Sequence, residues 1–416
     1  MSRKETITRG VTSIISILLL IGITYVLWIA KTNVAETKDI KEATTQETVE
    51  VDVPENSPIS IFETEIGVEE EASSKKSTTT TPSHTRVANP RNSPNDFQAG
   101  IGILVYKNDY EDLESLKWKI DKILDKLTEN NINSISINIP LYQDSYASST
   151  VYKDENFTPK NEEIVFIIRS AKMRGFSIML RPFLDEQNIS YNSSGRYTSE
   201  WRGTIEPKDK EKWFETYAKI LIDYAKLAEN EEVEFFTIGT ELTSMEKYTE
   251  DWENLIKDLR GTYSGQMTYS ANRLIPPEMP WHALDFISID AFYFLDVSAE
   301  NATEEDIINA WKPWIQDIAT QAESIGKPLV ITELGTSAQK GSFRSSWIWD
   351  HNTSIDMEAQ RMFYKASCKA LKEHVSGIYW WATNIWLLEN PEQDEGFNPL
   401  GKPAEREIEA CFETTS

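Results

Sequence analysis

The chain has 416 residues, 67 Asp and Glu against 42 Lys and Arg, and a formal charge of −25. That balance excludes a general nucleic-acid binder, because phosphate contacts need clustered cations, and it disfavours docking on anionic lipid head groups. Cys368 and Cys411 are too few for a disulfide framework or a Cys-based zinc site, and His84, His282, His351 and His374 show no metal spacing. No metal or cofactor is therefore expected, and carboxylates and aromatics, 13 of them Trp, are the tools left for any chemistry.

Residues 11–30, VTSIISILLLIGITYVLWIA, form an uncharged apolar run long enough to cross a bilayer as a helix. Arg3, Lys4 and Arg9 precede it, so the positive-inside rule predicts residues 1–10 in the cytoplasm and everything after Ala30 outside. The segment is read as a signal anchor that leaves the protein single-pass in the membrane, with its bulk at the cell surface or in the periplasm. A cleaved signal peptide, giving a secreted protein, is the alternative. Residues 31–95 are rich in Thr, Glu, Ser and Lys and lack apolar periodicity, which predicts a disordered linker. The first 30 residues carry +2 and residues 31–95 carry −5, so residues 96–416 hold −22 and the acidity belongs to the folded part.

From residue 98 strand and helix signals alternate. Strands are predicted at Gly100–Tyr106, Ser134–Tyr142, Phe176–Leu184, Val233–Leu242, Gln266–Ala271, Phe286–Phe294, Pro328–Leu334 and Gly377–Trp381. Helices are predicted at Glu111–Asn131, Glu162–Arg174, Asp209–Leu227, Trp252–Leu259, Glu304–Ile325 and Met357–Glu373. Apolar strands between amphipathic helices mean a buried parallel sheet, and eight such units fit a (β/α)8 barrel over residues 96–416 better than an open sheet. No Gly-rich phosphate loop follows the first strand.

In such a barrel the reactive groups sit at the C-terminal ends of the strands. Glu241 ends TIGTE at the fourth predicted strand and Glu333 ends VITE at the seventh. A carboxylate directly after an apolar strand is costly to bury unless it is paired. Two of them facing one cleft supply what glycoside hydrolysis needs: an acid for the leaving oxygen, and a carboxylate that attacks or activates water. Trp347 and Trp349, after the seventh strand, and Trp201 are candidates for stacking on sugar rings, while Trp213, Trp252, Trp311 and Trp314 sit on helices at packing positions. The triplets beginning at Asn156, Asn188, Asn192, Asn301 and Asn352 match the N-glycosylation pattern but arise readily by chance.

Between Gly100 and Ala404 the sequence resembles the clan A glycoside hydrolases, and family 113 most, on several motifs in order. These are WRGTI at 201–205 with Pro207, IGTEL at 238–242, YSAN at 269–272, LDFISIDAFY at 284–293, KPLVITE at 327–333, GIYWW at 377–381 and GKPA at 401–404. The resemblance implies a retaining endo-β-1,4-mannanase, with Glu241 as acid/base, Glu333 as nucleophile and carboxyls roughly 5–5.5 Å apart. It implies that Tyr293 hydrogen-bonds the nucleophile and that Trp381, in preference to Trp380, floors the sugar at the cleavage point. Arg181 and Asn272 belong to the expected sugar contacts. Thr240 stands where most of the clan has Asn, and Phe183 where family relatives have His; Asp185 and Glu186, which follow, are expected to face solvent. The expected partner is a polysaccharide or oligosaccharide, bound by a monomer. Another β-glycan (glucan, xylan or a cell-surface polysaccharide) is the alternative substrate, and a non-catalytic membrane-anchored glycan-binding protein is the alternative class.

Overall fold

The computed structural model describes residues 97–190, 199–348 and 353–413. The predicted anchor and linker, Trp349, Asn192 and Asn352 lie outside the described residues. Among the described residues no helix is long and apolar enough to cross a membrane. Eight parallel strands close in sequence order: β1 Gln98–Leu104, β2 Ser134–Leu141, β3 Ser177–Leu184, β4 Phe235–Thr240, β5 Gln266–Asn272, β6 Ile287–Asp290, β7 Leu329–Leu334 and β8 Gly377–Asn384, with β8 pairing back onto β1. The helices are α1 Leu113–Thr128, α2 Asn161–Met173, α3 Lys210–Asn230, α4 Thr249–Arg260, α5 Glu304–Ile325, α6 Met357–Leu371 and α7 Pro403–Cys411. This is the expected (β/α)8 barrel.

As in the predicted series, no helix joins β5 to β6; the connection holds only a 3-10 turn at Trp281–Ala283, because Pro276, Pro277 and Pro280 break helical hydrogen bonding there. One expectation about the elements is corrected. The sixth strand stops at Asp290, four residues short of the apolar run that predicted it.

Side-chain alternation divides the sheet into two faces. In β2, SISINIPL, the isoleucines Ile135, Ile137 and Ile139 join the large apolar cluster under the helices. Each such buried side chain contributes about 1.5–3 kcal/mol. Ser134 and Ser136 lie on the other face, inside the barrel, so β2 alternates and is not continuously apolar. The barrel interior holds its own small apolar plug, Met179, Phe235, Phe286, Val330 and Tyr379. The Tyr379 ring lies flat against Gly100, where an added Cβ would stand 2.3 Å from it. Above the plug come hydroxyls: Thr268 Oγ1 is 2.9 Å from Ser288 Oγ, and Ser270 donates to Thr332 Oγ1 at 3.0 Å. Most of these hydroxyls satisfy one another, which makes so polar a core tolerable; Thr237 Oγ1 is buried without a partner among the described residues.

Register slips set the upper rim. In β7 the partner of β6 jumps from Ile289↔Ile331 to Asp290↔Glu333. One extra residue on β7 is a bulge, and bulges re-aim side chains. As a result Thr332 and Glu333, although consecutive, both reach the barrel mouth. Comparable slips occur in β4 before Thr240 and in β8 after Trp380. Gly335 follows the β7 bulge because a Cβ there would lie 2.2 Å from the Trp381 carbonyl oxygen. Away from the mouth, Cys368 of α6 and Cys411 of α7 form a disulfide across 43 residues, with Cα atoms 5.8 Å apart. Two cysteines make no framework, but a single bridge of this span stabilises by about 4 kcal/mol in the chain-entropy model.

Candidate active site

The mouth is organised around Arg181 of β3. Its side chain is 1% exposed, and its Nη2 contacts two carboxylates at once: Glu333 Oε1 at 2.6 Å and Asp290 Oδ2 at 2.8 Å. Its Nε donates to Thr240 Oγ1 at 3.2 Å, and its guanidinium lies 5.8 Å over the Trp381 ring. Asp290 is fully buried and also accepts from the Thr332 hydroxyl at 2.9 Å. A charge inside a protein survives only when it is paired and hydrogen-bonded; Nη2 and Nε of Arg181 meet that condition, while its buried Nη1 has no hydrogen-bond partner among the described residues. Burial alone would push the Arg181 guanidinium down; Asp290, Glu333 and Glu241 reverse this and keep it charged.

Glu241 follows β4 and has φ +53°, in the left-handed region that a residue with a Cβ rarely occupies. Its backbone N–H donates to the Ser270 carbonyl at 2.8 Å and so holds the turn. Such backbone costs about 1–3 kcal/mol and persists where neighbours over-determine it. Burial pushes the Glu241 carboxyl up to about 7, helped by the charge of Asp290 and opposed by Arg202 and Arg181. Burial likewise drives Glu333 well above the ordinary carboxylate range, and Arg181 opposes it. Glu241 and Glu333 lie in each other's field, so ionising one makes the other harder to ionise. Arg181 touches Glu333 and Asp290 but not Glu241. Of the two glutamates only Glu333 therefore has this cation in direct contact to favour its ionised form.

The residues expected from the sequence fall into three groups. Glu241, Glu333, Arg181, Thr240 and Trp381 converge at the mouth. Asn272 is the last residue of β5, and Trp201 and Trp347 lie in the segments that follow β3 and β7. There Asn272 Oδ1 accepts from Arg273 Nε at 3.1 Å, and the Arg273 guanidinium lies 5.6 Å over Trp347, which is 44% exposed. Trp201 is half-buried and opens the turn Arg202–Thr204. Trp380 and Tyr293 face away. Trp380 is buried against Tyr364 with ring centroids 4.4 Å apart, as alternation from Trp381 requires. Tyr293 corrects an expectation: its hydroxyl donates to the Arg273 carbonyl, and its ring stacks on Trp314 of α5 at 4.6 Å. The strand ends three residues earlier, so Tyr293 lies in a loop turned towards the helix. Glu333 is held by Arg181 instead.

Asp185 and Glu186 are also corrected. Neither is left to solvent: Asp185 accepts from the Tyr106 hydroxyl at 2.7 Å, and Glu186 pairs with Arg202 at 2.8 Å. Asp290, Arg202 and Thr332 are site residues the sequence reading missed. Of these, Asp290 had a signal, an acid inside an apolar run, just as Glu241 and Glu333 did. Trp213, Trp252 and Trp311 are fully buried on their helices, as expected.

Comparison with known proteins bears on this geometry. The model of glycoside hydrolase family 113 matches residues 113–402. No curated protein matches the chain. Among solved structures, one described as a GH113 β-1,4-mannanase in complex is 23% identical and superposes with a TM-score of 0.65, covering 76% of this chain and 99% of its own. The GH113 β-mannanase of Alicyclobacillus acidocaldarius, in complex with ManMIm, is 22% identical with the same TM-score, over 76% of this chain and 97% of its own. At such identities these likenesses speak for the barrel alone.

Replacing Arg181 tests the centre. Arg181→Met leaves two buried carboxyls without their cation and should cost about 3–5 kcal/mol in urea unfolding at pH 8. Both carboxyls already have raised folded-state values, so they take up protons as the pH falls and the deficit should shrink at pH 5. An equal loss at both pH values would mean that the pair carries no charge.

Proposed function

We propose that this chain, which belongs to glycoside hydrolase family 113, is a retaining endo-β-1,4-mannanase held outside the cytoplasm by its N-terminal segment. Membership makes it a glycoside hydrolase. The observation that carries the finer reading is the pair Glu241 and Glu333 at the ends of β4 and β7, with Arg181 ion-paired to Glu333 alone of the two.

The reaction runs in two displacements. A Glu333 carboxylate oxygen bonds to C1 of the sugar while the bond from C1 to the leaving oxygen breaks. Glu241 gives that oxygen its proton, and the released chain departs with a new hydroxyl. Glu241, now a carboxylate, takes a proton from water, whose oxygen attacks C1 as the ester bond to Glu333 breaks. Two inversions give net retention, and both carboxyls return to their starting states. Burial supports the acid role of Glu241 because it favours the protonated form near neutral pH.

Two features support a mannan chain as the substrate. The solved structures that share the barrel include β-1,4-mannanases. Exposed or half-exposed Trp347 and Trp201 flank the mouth after β7 and β3, which suits a polymer lying across it. Export is supported by the apolar run 11–30 behind three cations and by the Cys368–Cys411 bridge, which persists in oxidising compartments. If so, protease added to intact host cells should degrade a C-terminal tag, and the protein should sediment with membranes; a protected, soluble tag contradicts export.

The two glutamates should fail differently. Glu333→Ala should abolish turnover of every substrate, and azide should then give an α-configured glycosyl azide. Glu241→Ala should still react with a dinitrophenyl glycoside, whose leaving group needs no proton, and azide should release a β-configured product. Exchanged products would exchange the roles. In the native enzyme kcat/KM on a manno-oligosaccharide should fall as pH rises through about 7, because the Glu241 proton is then lost. Hydrolysis of a β-glucan or xylan in preference to mannan would reassign the substrate and leave the mechanism intact.

A further inference from the structure

We propose that Asp290 is a positioning residue, the counter-anion that keeps Arg181 in place while Glu333 passes from carboxylate to ester and back. This rests on the roles given above to Glu241 and Glu333.

The geometry is that of one cation between two anions. Arg181 Nη2 meets both Glu333 Oε1 and Asp290 Oδ2, at 2.6 and 2.8 Å. Asp290 belongs to β6, and its backbone carbonyl accepts from the Arg273 N–H at 3.2 Å. Its second carboxylate oxygen accepts from Thr332, whose hydroxyl in turn accepts from Ser270. Asp290 is therefore fixed from β3, from β7 and from the residue after β5, and has no exposed surface through which to reach substrate. When the bond from Glu333 to C1 forms, Glu333 loses its charge. Without Asp290, a guanidinium that is 1% exposed would then stand with no anion in contact, the costly case for a buried ion. With Asp290 the cation stays paired throughout the cycle. In the resting enzyme the same sharing divides the pull of Arg181, so Glu333 is held in place without being fully neutralised as a nucleophile.

Asp290 also acts on the acid. The charged groups in the field of Glu241 are Arg181 on β3, Glu186 and Arg202 in the segment after β3, Asp290 on β6 and Glu333 on β7. After burial, Asp290 is the main influence holding the Glu241 proton on, while Arg202 and Arg181 oppose it. Removing the Asp290 charge should let that proton go at lower pH.

Asp290→Asn keeps the shape. Its amide oxygen can face Arg181 and its NH2 can face Thr332, whose hydroxyl is then free to donate to Ser270. The test is the pH profile of kcat/KM on a manno-oligosaccharide for the native enzyme and for Asp290→Asn. The alkaline limb should move down by about one pH unit, and kcat/KM at the optimum should fall roughly tenfold. Asp290→Glu, which restores the charge, should return the limb most of the way. Native enzyme on a dinitrophenyl glycoside is the control, because its limb should vanish there if the limb is that of Glu241. A limb that persists in the control overturns the acid/base assignment and this proposal with it. A limb that vanishes in the control but does not move in a cooperatively melting Asp290→Asn overturns this proposal alone. If Asp290→Asn does not melt cooperatively, Asp290→Ala takes its place; failure of both makes Asp290 structural and counts equally against the proposal.

Discussion

Arg181 is the constraint around which the upper half of the barrel is built. A guanidinium with 1% exposure needs anions in direct contact, and both that it touches come from distant strands, Asp290 on β6 and Glu333 on β7. Their approach depends on the β7 bulge, since a regular strand would point Thr332 and Glu333 to opposite faces. The bulge in turn needs Gly335, which lets the Trp381 carbonyl come close. Thr240 belongs to the same arrangement. Its hydroxyl accepts from Arg181, so the residue before Glu241 is engaged with the cation.

The barrel interior grades from apolar to polar to charged along its axis. The plug of Met179, Phe235, Phe286, Val330 and Tyr379 fills the lower end. The serines and threonines above it bind one another, and Ser270 carries that network up to Thr332 and so to Asp290. An apolar layer directly beneath the ion pair would leave the inner oxygen of Asp290 without a donor, a cost of about 1–3 kcal/mol or more for a charged group. The hydroxyl layer is thus the transition that lets charge sit inside a packed barrel.

Much of this was legible in the sequence, for reasons that differ by residue. Glu241 and Glu333 stood out because an acid closing an apolar strand is energetically odd unless it has a task, and the chain order of strands and helices placed both at one end. That one of Trp380 and Trp381 turns outward followed from simple alternation, which does not say which. Asp290, although an acid in an apolar run, was passed over because FISIDAFYF reads as one long strand and places it mid-strand, and where a strand ends is not encoded in its apolar run. The same error put Tyr293 at a strand end, when it lies in a loop and packs on Trp314. The Ser/Ile alternation of β2 was plainly present and should have indicated a polar barrel interior. The three prolines between Pro276 and Pro280 likewise forecast a connection without a helix. The Cys368–Cys411 bridge and the Arg202–Glu186 pair had no local signal, because each joins segments that only the closed fold brings together.

The most direct measurement is to trap the covalent intermediate. A 2-deoxy-2-fluoro-β-mannosyl fluoride slows both displacements, but its fluoride leaves without needing a proton, so the glycosyl-enzyme should accumulate. Peptide mass spectrometry of the inactivated protein should then place one sugar on Glu333, in the peptide containing VITEL. A sugar on Glu241 instead, or full inactivation with no covalent sugar, would contradict an ion-paired Glu333 as the nucleophile of this barrel.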